Sequence, residues 1–149
     1  MKTSKLLILT IVSGLLTAAR AAAAPAPVSP ETIQRLESLA PAKPTAAPAK
    51  PRKVMIFCSV TGWRPPAISL VNKTFEILGK KTGAFEVAAV SEDAAIFTPA
   101  KLAEFDAIVM NNCNELKLDE ERSRALQDFV KNGKGVVGLG STIRSESVV

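Results

Sequence analysis

The side chains that could do chemistry in this chain are few, because among its 149 residues there is no histidine and no tyrosine. Without imidazole, no Ser-His or Cys-His nucleophile can be assembled. Metal sites that rely on imidazole are excluded as well. Cys58 could act as a nucleophile only beside another activating base. A carboxylate serves as a general base near neutral pH only if its surroundings raise its pKa by about two units. Cys58 and Cys113 close two strands expected to be neighbours. In an oxidising compartment they pair as a disulfide, or they are two small buried hydrophobes, since adjacent parallel strands rarely offer the Cβ geometry for a bridge. Asn111, Asn112 and Asn114 stand at the end of another strand. Their amides suit sugar hydroxyls, although asparagines also simply terminate strands. Glu92 and Asp93 either orient a ligand or hold a cation, or they cap the amides of Ala94 and Ala95. Trp63, followed by Arg64, is the single tryptophan. It either stacks on a sugar ring or packs at a helix–loop junction. The ligand-binding candidates are therefore Trp63, Arg64, Asp93, Asn111, Asn112 and Asn114, with no catalytic residue, no metal site and no cofactor expected.

These residues need elements to position them. Residues 54–58 are apolar at every position, the habit of a central strand covered on both faces. A loop containing Gly62, Pro65 and Pro66 follows, then a helical pattern over 66–80 with Ile68, Val71, Phe75 and Leu78 on one side, ended by Gly79 and Gly83. A second strand is expected over 85–90, a helical turn over 99–105 and a third strand over 107–111. Asp119 is placed to cap a helix whose inner side is Ala125, Leu126, Phe129 and Val130, with Gly133 as the stop and a fourth strand over 135–139. Strands alternating with helices predict a parallel α/β sheet, doubly wound, of four strands in the order 2-1-3-4. In such sheets ligands bind at the carboxyl ends of the strands, here between the loops at 59–66 and 111–118. The fourth strand, carrying Val136 and Val137, is expected to be an open edge suited to pairing with another chain, a homo- or hetero-oligomer.

The chain starts with Lys2 and Lys5, then an apolar run over 6–19, then small residues around Arg20. That is the pattern of a cleaved export signal over 1–24, too short to span a bilayer, and it places the protein in the periplasm or outside the cell without a stable membrane anchor. Loss of Lys2, Lys5 and Arg20 lowers the formal charge from +5 to +2, too weak to argue for nucleic acid. Residues 25–52 read as a linker rich in proline and alanine. It is interrupted by a short helix that Ser29 caps and Pro30 begins, with Ile33, Leu36 and Leu39 on one side. That helix is either solvated or docked on the domain formed by 53–149.

The strand text KVMIFCSVTGW, the helix-end text LGKKTGAFEV, the segment SEDAAIFTPAKLAEFDAIVMNN and the segment RALQDFVKNGKGVVGLG together resemble the first part of a ThuA-like (trehalose-utilisation) domain. The resemblance implies a fold related to class I glutamine amidotransferases and a role with sugars or sugar derivatives. It also implies an acid at Asp93, and a domain that continues past Val149, so that this chain is C-terminally short. Family members usually carry a histidine where this chain has Pro65, and Gly-Ile-His where it has Gly138, Leu139 and Gly140. Gly140 and Ser141 fall where amidotransferases have their nucleophile elbow, but the flanking pattern of an elbow is missing. The expectation is an exported, carbohydrate-associated protein with catalysis weakened or lost, or else an interaction module pairing through its open sheet edge, or a non-functional fragment.

Overall fold

The computed structural model describes residues 27–114 and 116–144. The export signal expected over 1–24 lies outside the described residues, as do the last five positions. The elements are α1 (Pro30–Leu39), β1 (Lys53–Phe57), α2 (Ala67–Thr82), β2 (Glu86–Ser91), α3 (Pro99–Leu102), β3 (Ala107–Asn111), α4 (Glu120–Lys131) and β4 (Gly135–Leu139). Two 3₁₀ turns, Ala94–Ile96 and Gly140–Arg144, follow β2 and β4. All strand pairs are parallel and the order is β2-β1-β3-β4, as the alternation of strands and helices predicts.

Each strand alternates its side chains between two faces. On one face Met55, Phe57, Ile108 and Met110 pack with Leu102 of α3 and with Ala125, Leu126 and Phe129 of α4. Phe97 meets Phe57 edge-on there, ring centroids 4.7 Å apart. On the other face Val54, Ile56 and Val109 pack with Phe75 of α2 and with Phe85. The continuous apolar run of β1 is thus a strand buried on both sides.

The helix ends show local causes. Asp119 accepts from the Arg122 amide at 2.9 Å, and acids fill the first turn of α4, where they favour the helix dipole. Gly83, at φ 67°, closes α2 in the left-handed conformation. Gly79 does not end the helix, contrary to expectation. It sits buried inside α2, where an added Cβ would stand 2.7 Å from the Phe85 carbonyl oxygen. Its role is close packing of the α2 C-terminal turn against the entry to β2.

α1 forms with Ser29 as its cap, accepting from the Thr32 amide at 3.2 Å. It buries none of its residues, yet it rests on α2, where Lys81 donates to the Glu37 carbonyl. This helix is therefore docked at its edge and solvated over the rest. The segment before β1 meets the sheet at Asp106. Its carboxylate accepts from the Lys53 amide at 3.0 Å and pairs with Lys50 at 3.1 Å and Arg52 at 3.4 Å. The Lys53 amide, then Lys50, hold the Asp106 carboxyl down at about 2.

Candidate functional site

The loops that follow β1, β2, β3 and β4 converge at the carboxyl ends of the strands. Arg64 in the first loop forms a two-pronged pair with Glu92 after β2, one nitrogen–oxygen distance being 2.9 Å. The bond to Glu92 pushes the Arg64 pKa further up. The Asn114 amide after β3 donates to the Ser59 carbonyl at 3.1 Å, which fixes the base of the first loop to the third. Trp63 stands between these anchors with 76% of its surface exposed. Of the two readings for this residue, packing at the helix–loop junction does not apply.

The asparagines divide. Asn111 is fully buried; its amide nitrogen donates to the Ile68 carbonyl at 3.1 Å and to Asn72 Oδ1 at 2.8 Å. It fastens the end of β3 to the inner side of α2. Asn112 takes φ 58°, a backbone region that asparagine tolerates better than most residues, and donates from Nδ2 to Asn111 Oδ1 at 2.8 Å. Its own Oδ1 faces the turn after β4, where the Ser141 amide approaches at 3.5 Å. Asn114 is half-buried, and its Oδ1 is a buried oxygen with no hydrogen-bond partner among the described residues. Asp93 is exposed and accepts from the Ala95 amide at 2.9 Å, so it caps the turn after β2, and it also borders a groove of about 500 Å³ that runs past β2 to Lys101 and Glu104.

Both thiols are free. Burial pushes Cys58 up to about 11 and raises Cys113 too. Cys113 Sγ lies 3.4 Å from the Phe57 carbonyl oxygen, and its amide donates to Thr142 Oγ1 at 3.0 Å. Thr142 is the hub of this end of the sheet, its hydroxyl also contacting the carbonyls of Met110 at 2.8 Å and Leu139 at 2.9 Å. Among the described residues no group of three or more acids and cysteines could hold a metal ion.

Sequence reasoning did not reach Asn72, Thr142 or the pairing of Arg64 with Glu92. Asn72 had a signal: it lies four residues after Ile68, on the inner stripe of α2, where a polar residue needs a buried partner. Thr142 and the Arg64–Glu92 pair had none, since both depend on how loops from separate strands close.

A doubly wound parallel domain with its polar loops gathered at one end of the sheet defines the class. Within that class the sequence model for ThuA, trehalose utilisation, matches residues 53–148, so the chain belongs to this family. No curated protein and no solved structure matches it.

Proposed function

We propose that this ThuA-family protein is exported, binds a sugar or sugar derivative at the carboxyl end of its sheet and does not itself catalyse a reaction. The observation that supports binding is Trp63, exposed on a loop that Arg64–Glu92 and Ser59–Asn114 contacts hold in place. An aromatic face held rigid and open to water can stack on the apolar face of a pyranose. Asp93 and Asn112, at the ends of the neighbouring strands, would supply the polar contacts, with Asn114 Oδ1 as an acceptor reached when the loop yields. Absence of turnover follows from the missing imidazole and from two thiols whose burial holds them protonated at neutral pH. Export rests on the basic start, apolar run and small residues of the first 24 positions.

Titration with mono- and disaccharides while following Trp63 emission tests the site. The expected result is a saturable shift that weakens in Asp93→Ala, an exposed position. Equal affinity in that variant would remove Asp93 from the site.

A further inference from the structure

All four strands run the same way, so their starts lie at one end of the sheet, and the helices that return the chain finish there too. The charges divide between the two ends. At the carboxyl end acids lead: Glu92 and Asp93 follow β2, and Asp119, Glu120 and Glu121 open α4. Two arginines at that end, Arg64 and Arg122, are taken up by Glu92 and Asp119.

At the amino end cations lead. Lys50 at 3.1 Å, Arg52 at 3.4 Å and Lys134 at 3.8 Å converge on the single carboxylate of Asp106. One acid neutralises one cation of the three, and Lys53, exposed at the start of β1, adds to the surplus. Helix ends extend the cluster. Lys80 and Lys81 lie in the last turn of α2, Lys101 in α3 and Lys131 in the last turn of α4, all of them exposed. The acids among them are fewer: Glu86 and Glu104 share a groove with Lys53 and Lys101, Asp128 pairs with Lys131 and Glu37 borders Lys80 and Lys81.

Lysines in a last helical turn complement the helix dipole, which accounts for Lys80, Lys81, Lys101 and Lys131 one by one. It does not account for Lys50 and Arg52, which belong to no helix and gather beside the start of β1, a central strand. A small net charge spread evenly attracts little; gathered at one end, opposite an acidic end, it makes a face that an anionic surface can orient.

An exposed apolar residue stands beside these cations. α1 meets α2 where Lys81 donates to the Glu37 carbonyl, and Leu39, two residues further on, is 73% exposed. Leucine among lysines suits the headgroup layer of a bilayer: the charges meet lipid phosphates, while the leucine and the lysine stems reach the acyl boundary. A soluble polyanion would use the charges and leave Leu39 in water.

We propose that this end of the domain docks reversibly on a bilayer with anionic headgroups. Lys50, Arg52, Lys80, Lys81 and Lys101 face the lipid phosphates, and Leu39 enters the boundary beneath them. The attraction acts within a Debye length, about 10 Å at 0.1 M salt, so the contact is sensitive to salt. The five residues of β1 span roughly 17 Å between the two ends. Trp63, beyond the carboxyl end of β1, therefore stays in water while the protein is docked.

The test measures binding of the whole chain to sedimented vesicles, residues 1–24 being common to every variant. Phosphatidylcholine vesicles with about three parts in ten phosphatidylglycerol should bind at least about tenfold more tightly than phosphatidylcholine alone, and about 1 M salt should release the protein. Lys80→Glu together with Lys101→Glu should weaken binding at least about tenfold. The control, Lys117→Glu together with Arg124→Glu, has the same net charge and should bind within about twofold of the unmodified chain. All four positions are exposed, and circular dichroism checks that both double variants are folded. Trp63 emission should not move on binding, whereas Leu39→Trp in a Trp63→Phe chain should shift to the blue. Equal losses in the two double variants would reduce the contact to net charge and overturn the inference. Equal binding to neutral vesicles, a blue shift of Trp63, or capture by dextran sulfate at a salt concentration where anionic vesicles bind nothing would overturn it as well.

Discussion

Asn112 and Gly140 compete for one volume: the side-chain oxygen of Asn112 stands where a Cβ on residue 140 would be. Gly140 also has φ 63°, a conformation that costs other residues roughly 1–2 kcal/mol. Gly140→Ala should therefore lower stability by about 1–3 kcal/mol, and Asn112→Gly in the same chain should return part of that loss. Urea denaturation of the two single variants and the double variant measures the coupling. Strict additivity would show that the two residues do not share the space. A larger side chain at 140 has to be introduced together with Asn112→Gly.

Asn111 and Trp63 should separate structure from binding. Asn111→Ala leaves the Ile68 carbonyl and Asn72 Oδ1 without their buried donor and should cost about 2–4 kcal/mol. Trp63→Ala, at an exposed position, should change stability by about 0.5 kcal/mol or less and abolish sugar binding. Thermal melts and calorimetric titration of both variants check this; a large loss of stability in Trp63→Ala would make the tryptophan structural.

The Asp106 carboxyl sits at about 2, below its ordinary 3.8, so its contribution belongs to the charged form. That contribution is complete above about pH 4 and fades as pH falls towards 2. At pH 7, Asp106→Asn should lower stability by about 1–2 kcal/mol, discounted for water around Lys50 and Arg52, and the gap to the unmodified protein should close by about pH 2. Denaturation at several pH values measures the gap; one that persists undiminished towards pH 2 would show that it does not come from the charge of Asp106.

Cys58 and Cys113 should react slowly with a thiol reagent at pH 8 in the folded protein and rapidly in denaturant, because burial holds both protonated. Mass spectrometry of unreduced protein should find two free thiols. A mass lower by two hydrogens would reveal a bridge.

The fold was legible because its signals are local. Alternating strand and helix patterns placed β1, β3 and β4, and Asp119 and Ser29 are caps whose side chains bond the nearest amides. Gly79 misled because glycine near a helix end reads as a stop, whereas here Phe85 presses against the helix and leaves no room for a Cβ. The site was legible as a region rather than as contacts. Asn111 looks like Asn114 in the sequence, but only the packing of α2 on β3 decides which amide is enclosed. The turns at Ala94–Ile96 and Gly140–Arg144 escaped because three to five residues carry too little periodicity to read.

One measurement addresses binding without turnover directly: incubate the unmodified protein with a panel of disaccharides and keto-sugars, and follow Trp63 emission and product formation in the same sample. A saturable emission change with no product above the protein-free control is the predicted result. Sustained product formation by the purified chain, or an emission unmoved by every sugar, would contradict it.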